Sequence, residues 1–349
     1  MNHILDISTE ELKQLLTKRD QPGYRAAQIR KWLFHNRADS FESMRNLPKQ
    51  LQQALSEDLT IWTSKIVKHQ SSSDGTEKLL LELHDGGRIE CVLLRDGHRR
   101  TICISTQVGC AMGCVFCASG LDGVDRNLTT GEIIEQTLRL QNLLPESERL
   151  SHIVVMGMGE PLANLDQLLP ALDILSSEDG LGIGARRITI STVGLPKAID
   201  RLSDIQTRYH LAVSLHAPND PLRDQLVPVN DNIGIKAILS AADRYFDVSG
   251  RRLTYEYVLL GDVNDGEKHA QELVALLRHR NALLNVIPYN PVDGLPYKTP
   301  SRNSIARFKE VLEAGNITIR FRQRKGDDIN AACGQLRRSD VVQIDLPQG

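Results

Sequence analysis

Apolar positions along the 349-residue chain change their spacing several times, and each change marks a predicted element. Near the start, Ser8 and Glu11 stand three apart ahead of an apolar run, the signature of a capping box that opens a short helix. From about Tyr24, the residues Ala26, Ile29, Trp32 and Leu33 recur at helical spacing and predict a second helix. The run Ser71-Ser72-Ser73-Asp74-Gly75 reads as a loop, and two apolar segments beyond it, Lys78 to Leu83 and Arg88 to Arg95, flank Asp85-Gly86-Gly87 as in a β-hairpin. From Thr101 onward, strand-like runs at 101–106, 152–157, 186–192, 209–215, 253–260, 282–287 and 317–322 alternate with amphipathic stretches. Such alternation predicts repeated βα units and a parallel sheet, either open or rolled into a full or partial barrel. Chemistry is then expected in the loops at the C-terminal ends of the strands.

Composition narrows the class. With 41% hydrophobic and 25% charged residues the chain has the make-up of a soluble globular protein. Lys and Arg number 42 against 44 Asp and Glu, so a net charge of -2 carries no global signal for a polyanion or a membrane. Any such partner must be met by local groups: Arg25, Arg30, Lys31 and Arg37 on one face of the second helix, Arg99 and Arg100, or Arg320, Arg322, Arg324 and Lys325. No stretch approaches the about 18 apolar residues of a membrane span, and MNHILDISTEELKQLLTKRD lacks the regions of a signal peptide, so a cytosolic protein is expected. In that reducing compartment, six cysteines point to metal binding or catalysis and away from a disulfide framework.

Three of them, Cys110, Cys114 and Cys117, fall within eight residues on the loop after the first strand of the βα series. A closed structural zinc site needs a fourth ligand, and the next candidates downstream are the distant His152 and His216. Three thiolates suit a four-iron, four-sulfur cluster with one iron left open for a substrate to chelate. The spacing Cys-x-x-x-Cys-x-x-Cys, with Phe116 before the last Cys, resembles the signature of the radical S-adenosylmethionine enzymes. That resemblance implies a partial (β/α)6 barrel, and an open iron that binds the amino and carboxylate groups of S-adenosylmethionine. The second strand of the series ends in Gly157-Met158-Gly159-Glu160-Pro161, which resembles the motif that contacts the cofactor's amino group, with Gly159 permitting close approach and Glu160 accepting from an ammonium. Ser191, the Ser214-Leu215-His216 turn and Asn290 also end predicted strands; each alone reads as a turn or capping residue, and together they are candidate cofactor contacts. The Gly180–Gly184 run precedes a strand and has the wrong spacing for a dinucleotide fingerprint.

A lone cysteine is ordinarily a small buried hydrophobe. Cys333, however, lies in Gly326-Asp327-Asp328-Ile329-Asn330-Ala331-Ala332-Cys333-Gly334-Gln335-Leu336, and Cys103 stands seven residues before the first cluster candidate. With Gly-Met-Gly-Glu-Pro, these resemble the RlmN and Cfr group of radical S-adenosylmethionine RNA methyltransferases, from about Tyr24 to Leu336. The resemblance implies an α/β chain with a helical accessory RNA-binding domain at 1–70, a β-hairpin extension at 71–95, the core barrel at 96–330 and a tail at 331–349 that carries Cys333. It also implies two S-adenosylmethionine molecules per turnover. One methylates Cys333. The other yields a 5′-deoxyadenosyl radical that takes hydrogen from that methyl group, and the resulting methylene radical adds to an adenine carbon. Cys103 then resolves the protein–RNA crosslink through a transient disulfide with Cys333, of the kind a reducing cytosol permits.

Glu90, read alone, is a solvated strand carboxylate; in the resemblance it matches the proton acceptor. Cys91 points to the opposite face of its strand and is read as packing. Ile287-Pro288-Tyr289-Asn290-Pro291 and Arg324-Lys325-Gly326-Asp327-Asp328 favour the branch that methylates adenine C2 over the branch that methylates C8. The implied targets are an adenine in the peptidyl transferase centre of 23S rRNA and the adenine 3′ of some tRNA anticodons, with flavodoxin or ferredoxin as electron donor. Nothing in the sequence points beyond a monomer. A reading from another class, an iron–sulfur or zinc module that only binds RNA, has no use for Cys103 or Cys333.

Overall fold

A computed structural model describes residues 2–322 and 324–338. Ten strands make one sheet in chain order. The first four, β1 (Lys65–Ser71), β2 (Glu77–Glu82), β3 (Arg88–Asp96) and β4 (Arg99–Cys103), form an antiparallel meander. From β4 the sheet becomes parallel, through β5 (His152–Val155), β6 (Ile188–Thr192), β7 (His210–Ser214), β8 (Leu253–Leu259), β9 (Ala282–Pro288) and β10 (Ile319–Phe321). Helices return the chain between these strands, so the parallel part is a run of βα units rolled into a partial barrel with edges at β1 and β10.

Every predicted strand run from Thr101 onward overlaps one of β4 to β10. The predicted hairpin is β2 and β3, and it has a third strand that the hydrophobic pattern does not announce. β1 is an edge strand exposed along nearly its whole length, with a register shift between Ile66 and Lys68, so it lacks the alternation that burying one face imposes. Because β3 pairs with β4, the hairpin continues the barrel sheet without a break.

Side-chain alternation divides the barrel wall. On β8, Leu253, Tyr255, Tyr257 and Leu259 pack into the core, while Thr254, Glu256 and Val258 face the interior. On β9, Leu284 and Val286 pack outward, and Leu283, Asn285 and Ile287 face inward. The outer shell includes α5 (Leu165–Ser176), whose Leu165, Leu168, Leu172 and Leu175 make one apolar stripe. By contrast, α4 (Thr130–Gln141) is buried nearly all round, because the segments that flank the N-terminal helices cover its outer side, with Asp6 accepting the Gly131 N–H and Thr63 and Ser64 donating to Glu135.

Those N-terminal helices are α1 (Thr9–Thr17), opened by the Ser8–Glu11 capping box, α2 (Arg25–Phe34) and α3 (Lys49–Asp58). The basic face read on α2 is largely spent on protein contacts. Arg30 is buried and donates to the Ile7 carbonyl at 2.6 Å, Arg25 donates to Gln28, and Arg37 donates to the carbonyls of Leu144 and Glu148 at 2.5 and 2.8 Å. Of the four, Lys31 alone remains solvated among the described residues. Arginine carries a long apolar stem and five donors, so helical spacing of Arg does not by itself separate a phosphate-binding face from an internal tether.

Beyond β10 the chain crosses the open side of the barrel as a strap. Gly326 N–H donates to Asp74 Oδ2 at 3.0 Å, Lys325 Nζ to the Arg95 carbonyl at 3.2 Å, and Lys78 Nζ to the Asn330 carbonyl at 3.0 Å. Gly326 sits at φ +63°, and a Cβ there would lie 2.8 Å from both the Ala331 Cβ and the Thr76 Cγ2, so the crossing requires glycine. The predicted tail is described as far as 338; 339–349 lie outside the described residues. No helix among the described residues is long and apolar enough to cross a membrane.

Candidate functional site

Two adjoining cavities occupy the barrel interior. The first, of about 160 Å³, is lined by Cys110, Cys114 and Cys117 and by Gly159, Glu160, Ser191, Ser214, His216 and Asn290. Residues far apart in sequence meet there because each follows its strand at the same end of the sheet. The second cavity, of about 620 Å³, is lined by Cys103, Arg99, Arg320, Arg322, Arg324 and Lys325. Met156, Glu256, Ile287, Asn290 and Cys333 border both.

The cysteine loop runs between β4 and α4. Burial pushes the Cys110 thiol up to about 11 and raises those of Cys114 and Cys117, and neighbouring thiols push in the same direction. Among the described residues, no three His, Cys, Asp or Glu side chains converge on a single ion. Cys110, Cys114 and Cys117 line one chamber, and thiolates are the ligand type that iron–sulfur clusters take. Two buried polar atoms of residues lining this chamber, Asn290 Oδ1 and Tyr289 Oη, have no hydrogen-bond partner, and a polar ligand would supply one.

Glu160 is buried, with its carboxylate accepting from the backbone N–H groups of Leu162 at 3.0 Å and Val193 at 2.8 Å; burial raises its pKa against those bonds. Its own N–H donates to Gln107 Oε1 at 2.8 Å. Gly159 has φ +103°, and a Cβ there would lie 2.7 Å from the Gln107 Cβ. The close approach that requires this glycine is therefore to the segment after β4. His216 adopts φ 58°, packs edge-on against Phe116 and accepts the Val258 N–H on Nδ1 at 3.1 Å. Burial, with Arg223 beside it, holds the imidazole down at about 3, so it is neutral with its proton on Nε2. Leu215 alone of the predicted cofactor contacts lies off the cavity, packed in the core with its carbonyl accepting from Arg223.

Arg223 had no signal in the sequence. Fully buried, it donates to the carbonyls of Leu215 at 2.9 Å, Ser214 at 3.0 Å and Val193 at 2.5 Å, and so fixes the ends of β6 and β7. Desolvation lowers its guanidinium to about 10, still charged at neutral pH. An arginine on α6 (Asp220–Leu226) is indistinguishable in sequence from any surface arginine.

The Cys333 loop is clamped from several sides. Ala118 N–H donates to the Gly334 carbonyl at 2.8 Å, Ser119 Oγ to the Leu336 carbonyl at 2.8 Å, and Asn290 Nδ2 to the Cys333 carbonyl at 3.2 Å. The Cys333 thiol is exposed and takes a 3.7 Å contact from Arg322 Nη1. Burial pushes the Cys103 thiol up to about 12, with Cys333 adding to the rise and Arg322 opposing it. Cys91 packs in the core, its thiol raised by burial.

Glu90 is not solvated, contrary to its reading in isolation. At 6% exposure it ion-pairs with Lys78 Nζ at 2.8 Å and accepts the Arg337 N–H at 2.8 Å. The pattern of β3 explains this: Val92, Leu94 and Asp96 line the second cavity, and Glu90 shares their face beneath the strap, outside the cavity lining. Of the basic groups, Arg100 is tied bidentately to Glu148 at 2.5 and 2.8 Å, whereas Arg99, Arg320 and Arg322 turn to the second cavity.

Comparison with known proteins agrees with this arrangement. Residues 2–61 match the ribosomal RNA large subunit methyltransferase N-terminal domain, and residues 104–274 match the radical SAM superfamily. A probable dual-specificity RNA methyltransferase RlmN of Rhodopirellula baltica is 64% identical, over 97% of this chain and 91% of the relative. The protein of that name from Bacillus subtilis is 42% identical over 97% of this chain and 93% of its own length. The crystal structure of a radical SAM methyltransferase from Sphaerobacter thermophilus superposes with a TM-score of 0.94 at 43% identity, covering 97% of this chain and all of that one. With both its N-terminal unit and its cysteine-bearing barrel matched, and near full-length identity to these relatives, the chain belongs to the RlmN family of radical S-adenosylmethionine RNA methyltransferases.

Proposed function

We propose that this enzyme methylates C2 of an adenine in 23S rRNA and in tRNA through an S-methylcysteine at Cys333. The observation that carries the reading is the position of Cys333 in the wall common to both cavities, within reach of a cofactor on one side and of a base on the other. Cys110, Cys114 and Cys117 hold the cluster and leave one iron open. Bound there, the cluster and S-adenosylmethionine supply the electron and the adenosyl radical. Glu160, Ser191, Ser214, His216 and Asn290 orient the cofactor, His216 as a neutral Nε2–H donor. Adenine C2 is not nucleophilic, so direct methyl displacement at that carbon fails and a protein-borne carbon is needed.

Cys333 Sγ takes a methyl group from one S-adenosylmethionine and loses hydrogen from it at the expense of a second, so two are used per turnover. The methylene carbon on Cys333 then bonds to C2. As Glu90 takes the ring proton, the adduct returns its odd electron to the one-electron carrier. The Cys103 thiolate then attacks Cys333 Sγ, the sulfur–methylene bond breaks onto carbon, and that carbon takes a proton to leave as the methyl group while the Cys103–Cys333 disulfide closes. Arg99, Arg320 and Arg322 at the second cavity offer phosphate contacts, and the target base must leave its stack to enter. We further propose that the N-terminal helical unit contributes to RNA binding, that a flavodoxin or ferredoxin delivers the electron, and that the enzyme acts as a monomer. In the test, Cys103→Ala accumulates a protein–RNA adduct that resists denaturation, and Cys333→Ala forms neither adduct nor product. Full methylation by either variant overturns the reading.

A further inference from the structure

The floor of the second cavity holds a polar pair that neither fold nor cluster chemistry accounts for. Glu256 on β8 and Asn285 on β9 are 5% and 4% exposed. Adjacent in register, they are joined by Asn285 Nδ2 donating to Glu256 Oε2 at 2.7 Å. Asn285 Oδ1 is buried without a partner; the Glu256 carboxylate feels the Arg322 guanidinium electrostatically, and its Oε1 takes no hydrogen bond among the described residues. Buried polar groups left unpaired are costly and rare, and a barrel interior could have placed Val or Leu at both positions. Both open atoms are acceptors, so the missing partner is a donor. One group carrying two N–H donors a short distance apart satisfies both.

Resting on the methylation reading above, we propose that Glu256 and Asn285 form a base-reading subsite that accepts the exocyclic amine of the target adenine. C6 and C2 flank N1, so the exocyclic amine and the C2–H bond point in different directions. An adenine that gives its amine to this floor therefore turns C2 away from it, toward the cavity wall in which Cys333 stands. A purine carrying a keto oxygen at C6 brings an acceptor against two acceptors and is rejected, which is discrimination by an unpaired buried group. The adenine of S-adenosylmethionine bears the same amine and Glu256 borders both cavities, but Asn285 lines only the second, apart from the cysteine loop.

The test uses cluster-loaded enzyme and tRNA transcripts that carry, at the methylated position, either adenine or purine riboside, which lacks the amine. Wild-type enzyme is expected to prefer adenine by about tenfold to a hundredfold in kcat/KM, the worth of a good two-bond base contact. Asn285→Ala and Glu256→Gln are expected to bring that ratio toward one without raising the KM for S-adenosylmethionine. Should Glu256→Gln melt early, Glu256→Asp takes its place. A wild-type ratio near one overturns the subsite, as does a ratio that the variants leave unchanged or a variant effect confined to the KM for S-adenosylmethionine. Absence of any methylation of the adenine transcript by wild type contradicts instead the methylation reading beneath it.

Discussion

Glu90 shows how differently a residue reads in isolation and in place. Its strand was legible; its interior face and its partners were not, because Lys78 lies across the hairpin and Arg337 arrives from the far end of the chain. These contacts allow two roles with different signatures. A proton acceptor predicts that Glu90→Gln slows turnover by about 10²–10⁴-fold, the usual range for general acid–base groups, while the RNA adduct still forms and persists. A purely structural carboxylate predicts that Glu90→Gln and Lys78→Met lose stability alike and form no excess adduct. Denaturing gel analysis of single turnovers separates the two, and the first outcome is expected. Cys110, Cys114 and Cys117 were readable as candidates because cysteine is scarce and their spacing is diagnostic, whereas Cys333 was a candidate only through the resemblance of the residues around it. Arg223 and the Glu256–Asn285 pair were not, since they use common residue types whose meaning comes from depth.

At the scale of elements, the βα series was legible because strands with one face in the core read as short alternating apolar runs between helical patterns, and β1 was missed because an exposed edge has no such pattern. The strap carries Cys333, on which the proposed chemistry depends, and it has no secondary-structure signal beyond its glycine. Gly326→Ala forces a side chain into a positive-φ position already filled by Ala331 and Thr76, so it is expected to raise hydrogen exchange across 326–336 and to slow methylation, with the barrel's melting little changed. The Asp74 anchor has a defined pH window. Although burial opposes it, hydrogen bonds from Thr76, Gly326 and Ser72 hold its carboxyl down at about 2. A depressed carboxylate contributes docking that is fully present above its ordinary value near 3.8 and lost as pH falls through about 2. Strap protection is therefore expected to be flat from about pH 5 to 8, and a fall within that range would contradict Asp74 as the anchor.

Across the whole molecule, one carboxylate joins the N-terminal unit to the barrel. Glu135 on α4 is 1% exposed and accepts from the backbone and hydroxyl groups of Thr63 and Ser64, with Arg139 at 3.2 Å and His3 at 3.5 Å. Glu135→Ala leaves those donors buried and unpaired, at an expected cost of about 3–5 kcal/mol, read as a lowered midpoint in denaturant. Net charge was the poorest guide at this scale: the arginines that matter are those few that turn to the second cavity, while others of equal prominence in sequence serve as tethers. On the proposed reading, Cys333, standing between two chambers, carries a carbon from a cofactor to adenine C2. The direct measurement is nucleoside mass spectrometry of unmethylated 23S rRNA and tRNA after anaerobic incubation with cluster-loaded enzyme, S-adenosylmethionine and a one-electron reductant. The account predicts 2-methyladenosine; finding 8-methyladenosine in its place, or no methyladenosine from a cluster-replete preparation, would contradict it.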